Sequence, residues 1–246
     1  MDLDPTTGRP VKKPTSPWVW VAVGCGGLVV LAILAFVAFG WMVFRSAKDM
    51  EEGFKDPVKR EAKTKEVLPY QQLPPGYYPA GAIKIPFLFD MAMFSDQELG
   101  PGETLENNMG ERGFMFLSMR HMGGNKEDLR RTLRGEKPEK QEWRTSVNYQ
   151  PGEVIGMGSV EVGGSTVLYH ASRGGVSFGA PSHGDGLVTM VMPECPNDKR
   201  VRFGFWYTPD PSGGKPVAEA DFKGTSADPE AIKGFLGHFE LCPKKR

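Results

Sequence analysis

Cysteine is scarce, with three in 246 residues. That is too few for a disulfide scaffold or a four-cysteine zinc site. Neither sign of charge is in excess, with 30 Lys and Arg against 30 Asp and Glu. A nucleic-acid binder carries a basic surplus, so no nucleic-acid partner is expected. The sequence has no phosphate-binding glycine loop, no dinucleotide fingerprint and no paired-cysteine metal ribbon. Its four histidines (His121, His170, His183 and His238) are scattered, with no pair at helical zinc-ligand spacing. No catalytic residue, cofactor or metal ligand is therefore assigned. Internal repeats are absent as well. What the chain does have is glycine (31) and proline (21), which favour turns and short strands over long helices. A hydrophobic content of 39% is enough for a core.

One segment departs from this average. Trp18 to Phe44 is 27 residues without a charge. As a helix it would span about 40 Å, more than the roughly 30 Å of a bilayer's hydrocarbon core. Trp18, Trp20 and Trp41 mark its ends, and Lys12, Lys13 and Arg45 bracket it. The run is too long for a signal-peptide core and lacks a small-residue cleavage pattern. The expectation is one uncleaved transmembrane helix at residues 18–44, with the lipid bilayer as partner. Ala22 and Gly26 form a small-xxx-small pair that would let two such helices approach, a route to weak self-association. Lys and Arg counts on the two flanks lean toward a cytoplasmic C-terminal side. The absence of any sizeable domain before the run, and the two Cys-Pro pairs after it, favour an extracytoplasmic one. The expected location is a single-pass membrane protein with its globular domain extracytoplasmic, the cytoplasmic side being the alternative.

Residues 1–17 read as a polar tail, and 45–72 as a charged helical stalk. Within the stalk, Asp56 caps and Pro57 starts a helix running to Val67 with little apolar face. Pro69, Pro74, Pro75 and Pro79 then break regular structure. From there residues 73–246 read as an α+β globular domain. Period-two strands are expected at 82–94 (one or two), 113–120, 143–149, 153–162, 166–171, 186–192 and 200–207. Gly163-Gly164 is the signature of a hairpin turn. A short capped helix is expected at 125–133. A last helix starts at Asp228-Pro229 and carries Ile232, Phe235, Leu236 and Phe239 as one apolar stripe. The expected fold class is α+β: an N-terminal transmembrane helix, then an antiparallel sheet domain packed by a few helices, including a C-terminal one.

Three features of this layout occur together. They are the Leu-Pro-Pro-Gly-Tyr opening at residues 73–77, the Gly-Gly hairpin, and the last helix leading into Phe239-Glu240-Leu241. In these, residues 73–241 resemble the PsbP-like family of extracytoplasmic domains. The resemblance implies an α/β sandwich around an antiparallel sheet. It implies binding and assembly rather than catalysis, and it brings no catalytic residues.

Two chemical alternatives stand beside that reading. Gly175-Val176-Ser177-Phe178-Gly179 matches the G-x-S-x-G pattern of hydrolases, with His183 and Asp185 nearby. A nucleophile elbow needs a helix after its serine, and Ala180–Gly186 reads as loop. The Gly175–Asp185 loop is thus the only envelope-hydrolase candidate. Methionine is frequent, at 12 residues. Met91, Met93, Met115, Met119, Met122, Met190 and Met192 with His121 could form a copper-handling module, since Cu(I) prefers soft ligands. Methionine at period two more simply fills a core. The basic stretch Lys126, Arg130, Arg131, Arg134, Lys137 and Lys140 alternates with acids and reads as a solvated face, or as a dock for anionic headgroups or an acidic partner; a protein partner of the domain is expected on the binding reading. Finally, Cys195 and Cys242 each close an element and precede Pro. A bridge between them would be worth about 3–4 kcal/mol by the loop-entropy argument and would suit an oxidising compartment. The function expected is a membrane-anchored binding or assembly domain, without catalysis.

Overall fold

In the computed structural model, the described residues are 34, 37, 52–85, 88–103, 110–120, 125–136, 148–177, 186–196 and 198–242. The chain divides into two compact units, Met1–Asp49 and Met50–Arg246. In the first, only Leu34 and Val37 are described, both helical and exposed.

In the second unit a helical turn at residues 52–55 precedes helix α1 (Pro57–Val67). Asp56 caps it, its carboxylate accepting from the amides of Val58 and Lys59 at 2.9 and 3.3 Å. This helix is not a solvated stalk. Arg60, Thr64 and Val67 are buried along one side, at a spacing of i, i+4 and i+7. The Arg60 guanidinium donates to the carbonyls of Phe54, Leu99 and Gly100 at 3.0, 2.7 and 3.3 Å. A hydropathy pattern misses such a face because two of its three residues are polar by type. Burial is possible because carbonyls satisfy the charge.

Seven strands follow: β1 (Tyr78–Ile85), β2 (Phe89–Ser95), β3 (Gly113–Met119), β4 (Asn148–Val162), β5 (Ser165–Ser177), β6 (Gly186–Pro193) and β7 (Val201–Pro209). They form one antiparallel sheet in the order β1-β2-β3-β7-β6-β5-β4. Two meanders, β1–β3 and β4–β7, are thus joined through the β3–β7 pair. Helix α2 (Asn125–Leu133) lies in the connection between them. Gly163 and Gly164, with φ of 58° and 80°, make the β4–β5 turn, a conformation that needs residues free of a Cβ.

Alternation along the strands separates two cores. On one face Ala92, Phe94, Phe114, Phe116, Val191 and Trp206 pack with Val67 of α1 and with helix α3 (Pro229–Leu236). Asp228 caps α3, and Ile232, Phe235, Leu236 and Phe239 are all buried. Gly204 belongs to this face because the Phe114 ring would stand 2.7 Å from any Cβ there. On the other face Met91, Met115, Leu117, Met190, Met192, Phe203 and Phe205 pack with Leu129 and Leu133 of α2. The C-terminal segment then returns to the end of α1. Phe239 bridges to Tyr70, and the Glu240 amide donates to the Pro69 carbonyl at 2.8 Å.

This architecture corrects the expected fold class. The described chain is a seven-stranded antiparallel sheet with few helices, and α1, α2 and α3 hold only 11, 9 and 8 residues. At 1.5 Å per residue each is about 12–17 Å long, far short of a bilayer core. Among the described residues no helix is long and apolar enough to cross a membrane. The helix expected at residues 18–44, with its Ala22–Gly26 pair, lies outside the described residues apart from Leu34 and Val37.

Candidate functional site: a polar cavity at the disulfide end of the sheet

The apolar alternation of the first face stops abruptly at one end. Inward positions change from Ala82 to Lys84 on β1, from Ala92 to Asp90 on β2, from Phe116 to Ser118 on β3, and from Gly204 to Arg202 on β7. The register sets these four side by side: Lys84 opposite Asp90, Asp90 opposite Ser118, Ser118 opposite Arg202. A polar row therefore crosses four strands on the face that elsewhere holds the aromatic core. Over it opens a cavity of about 460 Å³. Glu66, Val67 and Pro69 at the end of α1 form one wall, and Glu240 and Cys242 of the C-terminal segment form another. Arg120 and Arg200, just beyond β3 and just before β7, complete the lining.

Three of the four cations here are engaged. Lys84 pairs with Glu66. Arg200 meets Asp90 at 3.3 Å, and Arg202 meets Asp198 at 2.7 Å. Burial pushes the Asp198 carboxyl up, but the Arg200 amide and the Arg202 guanidinium outweigh it and hold the group below the usual carboxylate range. Arg120 is exposed, and its guanidinium has no partner among the described residues. Ser118 is only 2% exposed, and its Oγ makes no hydrogen bond among the described residues. Leaving such a group unmatched costs about 1–3 kcal/mol. The cavity lining thus combines an exposed guanidinium and a buried hydroxyl, neither with a partner among the described residues.

The expected bridge is formed: Cys195 and Cys242 are disulfide-bonded, their Cα atoms 5.3 Å apart and 47 positions separated in sequence. It fixes the wall to which Cys242 belongs. None of the other sequence candidates among the described residues lines this cavity. Gly175 to Ser177 end strand β5, while residues 178–185, including His183 and Asp185, lie outside the described residues. Met91, Met115, Met190 and Met192 are buried in the second core; His121 and Met122 lie outside the described residues. His170, on the second face opposite Met190, is buried, and burial holds its imidazole below the ordinary value. Among the described residues no three His, Cys, Asp or Glu side chains converge on one point. In the basic stretch, Arg130 pairs with Glu127 and Glu194 at 3.2 and 2.9 Å, and Lys126 donates to the Asp198 carbonyl at 3.3 Å. Lys137 and Lys140 lie outside the described residues.

Sequence reasoning passed over Lys84, Asp90, Ser118, Arg120, Arg200 and Arg202. A signal existed. Phe114-x-Phe116-x-Ser118-x-Arg120 keeps its period of two while its inward set turns from aromatic to polar. That marks a strand leaving the core for a site. Which polar ends coincide depends on register, and register is a long-range property.

No family model matches the chain, and no curated protein matches it. What the cavity does is read from its own geometry.

Proposed function

We propose that this protein is a binding domain of an oxidising, extracytoplasmic compartment, and that it takes its ligand or partner group in the polar cavity beside the disulfide. The observation that carries the reading is Ser118. A buried hydroxyl without a partner, in the lining of an open polar cavity, is an interaction awaiting a group from outside. The volume of about 460 Å³ falls in the range of small-molecule sites. The Cys195–Cys242 bridge supports the compartment, because such bridges persist where thiols are not kept reduced. Rigidity supports the binding role, since the polar row stands on four hydrogen-bonded strands and needs little ordering when a ligand arrives.

The test is site-specific photo-crosslinking in cells that make the full chain. A cross-linker placed at Arg120, at the cavity mouth, should capture a discrete species. One placed at Val58, exposed on the outer side of α1, should not. Equal capture at both positions, or none at Arg120, would count against the cavity as the binding site.

A further inference from the structure

We infer that the cavity recognises a singly charged carboxylate, held between the Arg120 guanidinium and the Ser118 hydroxyl. The inference rests on the binding reading above and names the chemistry of its ligand. Lys84, Arg200 and Arg202 already have carboxylate partners, so among the described residues of the lining one guanidinium remains for an incoming anion. A planar guanidinium matches a carboxylate edge to edge with two parallel hydrogen bonds. The Ser118 hydroxyl can donate one more to the same group or to its neighbour. Charge number follows from the remaining lining. Glu66, Asp90 and Glu240 present three carboxylates to the cavity. Lys84 and Arg200 offset Glu66 and Asp90, so among the described residues Arg120 is the one cation left for an incoming anion, and a phosphate dianion would keep one charge unmatched. A monoanion leaves that balance acceptable. The volume exceeds what a carboxylate alone fills, so the ligand carries further atoms beyond its acid group. Either a free small acid or the C-terminal carboxylate of a peptide supplies this chemistry.

The experiment uses the full, oxidised chain and follows the backbone amide resonances of Ser118 and Arg120 during titration. The probes are acetate, a tripeptide with a free C-terminus, the same tripeptide as its amide, and inorganic phosphate. Acetate and the tripeptide acid are expected to shift both resonances, the amide to shift neither, and phosphate to bind more weakly than acetate. Arg120→Gln should weaken acetate binding about tenfold or more, and Ser118→Ala several-fold. A tripeptide acid that binds at least tenfold tighter than acetate identifies a peptide end as the source. Equal affinity identifies a free small acid. The inference is overturned if neither carboxylate shifts these resonances, if phosphate binds better than acetate, or if Arg120→Gln binds as well as the parent chain. Capture at position 120 in cells together with any of those results would leave a binding cavity with a different ligand. No capture would remove the cavity reading as well.

Discussion

Trp206 lies flat on Phe235, their ring centroids 4.2 Å apart and their planes within 8°. The indole Nε1 donates to the Tyr77 hydroxyl at 2.8 Å, so one side chain on β7 fastens α3 and the start of β1 to the sheet. Phe235 also meets Tyr77, Phe114 and Phe239 edge-on or tilted. Burying such a ring is a packing term, and its loss leaves a cavity. Phe235→Ala should destabilise the fold by about 3–5 kcal/mol, read as a shift of the urea midpoint at unchanged slope. Trp206 fluorescence should report the same transition.

The disulfide should contribute about 3–4 kcal/mol, chiefly through the unfolded chain. Cys242→Ser is expected to lower the urea midpoint accordingly, and the parent chain with reductant should behave like the variant. Because Cys242 also lines the cavity, reduction should weaken carboxylate binding, whereas Phe235→Ala at a temperature where it remains folded should not.

Stability should fall as the solution is acidified below about pH 6.5. The unfolded chain takes up a proton on His170 near its ordinary value, whereas burial delays uptake in the folded state. The unfolded state then binds more protons, so stability rises with pH through this window, by up to about 1.4 kcal/mol per pH unit from one group. His170→Gln should flatten that slope. Asp198 acts lower down. Its folded carboxyl lies below the ordinary range, so its contribution is present above about pH 4 and is lost as pH falls through the folded value.

Much of this fold could be read in the sequence because it is local. The Asp56-Pro57 and Asp228-Pro229 starts, the Gly163-Gly164 turn and the stripe Ile232, Phe235, Leu236 and Phe239 each occupy a few consecutive turns of chain. They reappear as caps, a hairpin and a buried helix face of Ile232, Phe235 and Leu236, with Phe239 buried just beyond the helix end. Arg60 and Thr64 hid a buried face because burial there depends on the Leu99 and Gly100 carbonyls, about 40 residues away. The candidate site was hidden for the same reason. Lys84, Asp90, Ser118 and Arg202 meet only through the pairings of β1, β2, β3 and β7, and β7 joins β3 across the whole second meander. Cys195 and Cys242 were the exception, since each ends an element that had to pack on the other.

Ser118→Ala separates a ligand contact from a structural one. The hydroxyl has no partner among the described residues, so its removal should leave the unliganded chain as stable as before or more stable by about 1 kcal/mol. A thermal melt of the two proteins side by side checks this. A loss of stability would mean that the hydroxyl is already satisfied from within.

The most direct test of the cavity as the working site is Arg120→Glu in place of the native residue in living cells. Arg120 is exposed and unpaired among the described residues, so the variant should accumulate normally, with its Cys195–Cys242 bridge formed, as non-reducing gels would show. The measurement is the phenotype of that strain against the parent and against a deletion. The account predicts that the variant behaves like the deletion while remaining folded and oxidised. A folded, oxidised Arg120→Glu protein that supports the parental phenotype would contradict it.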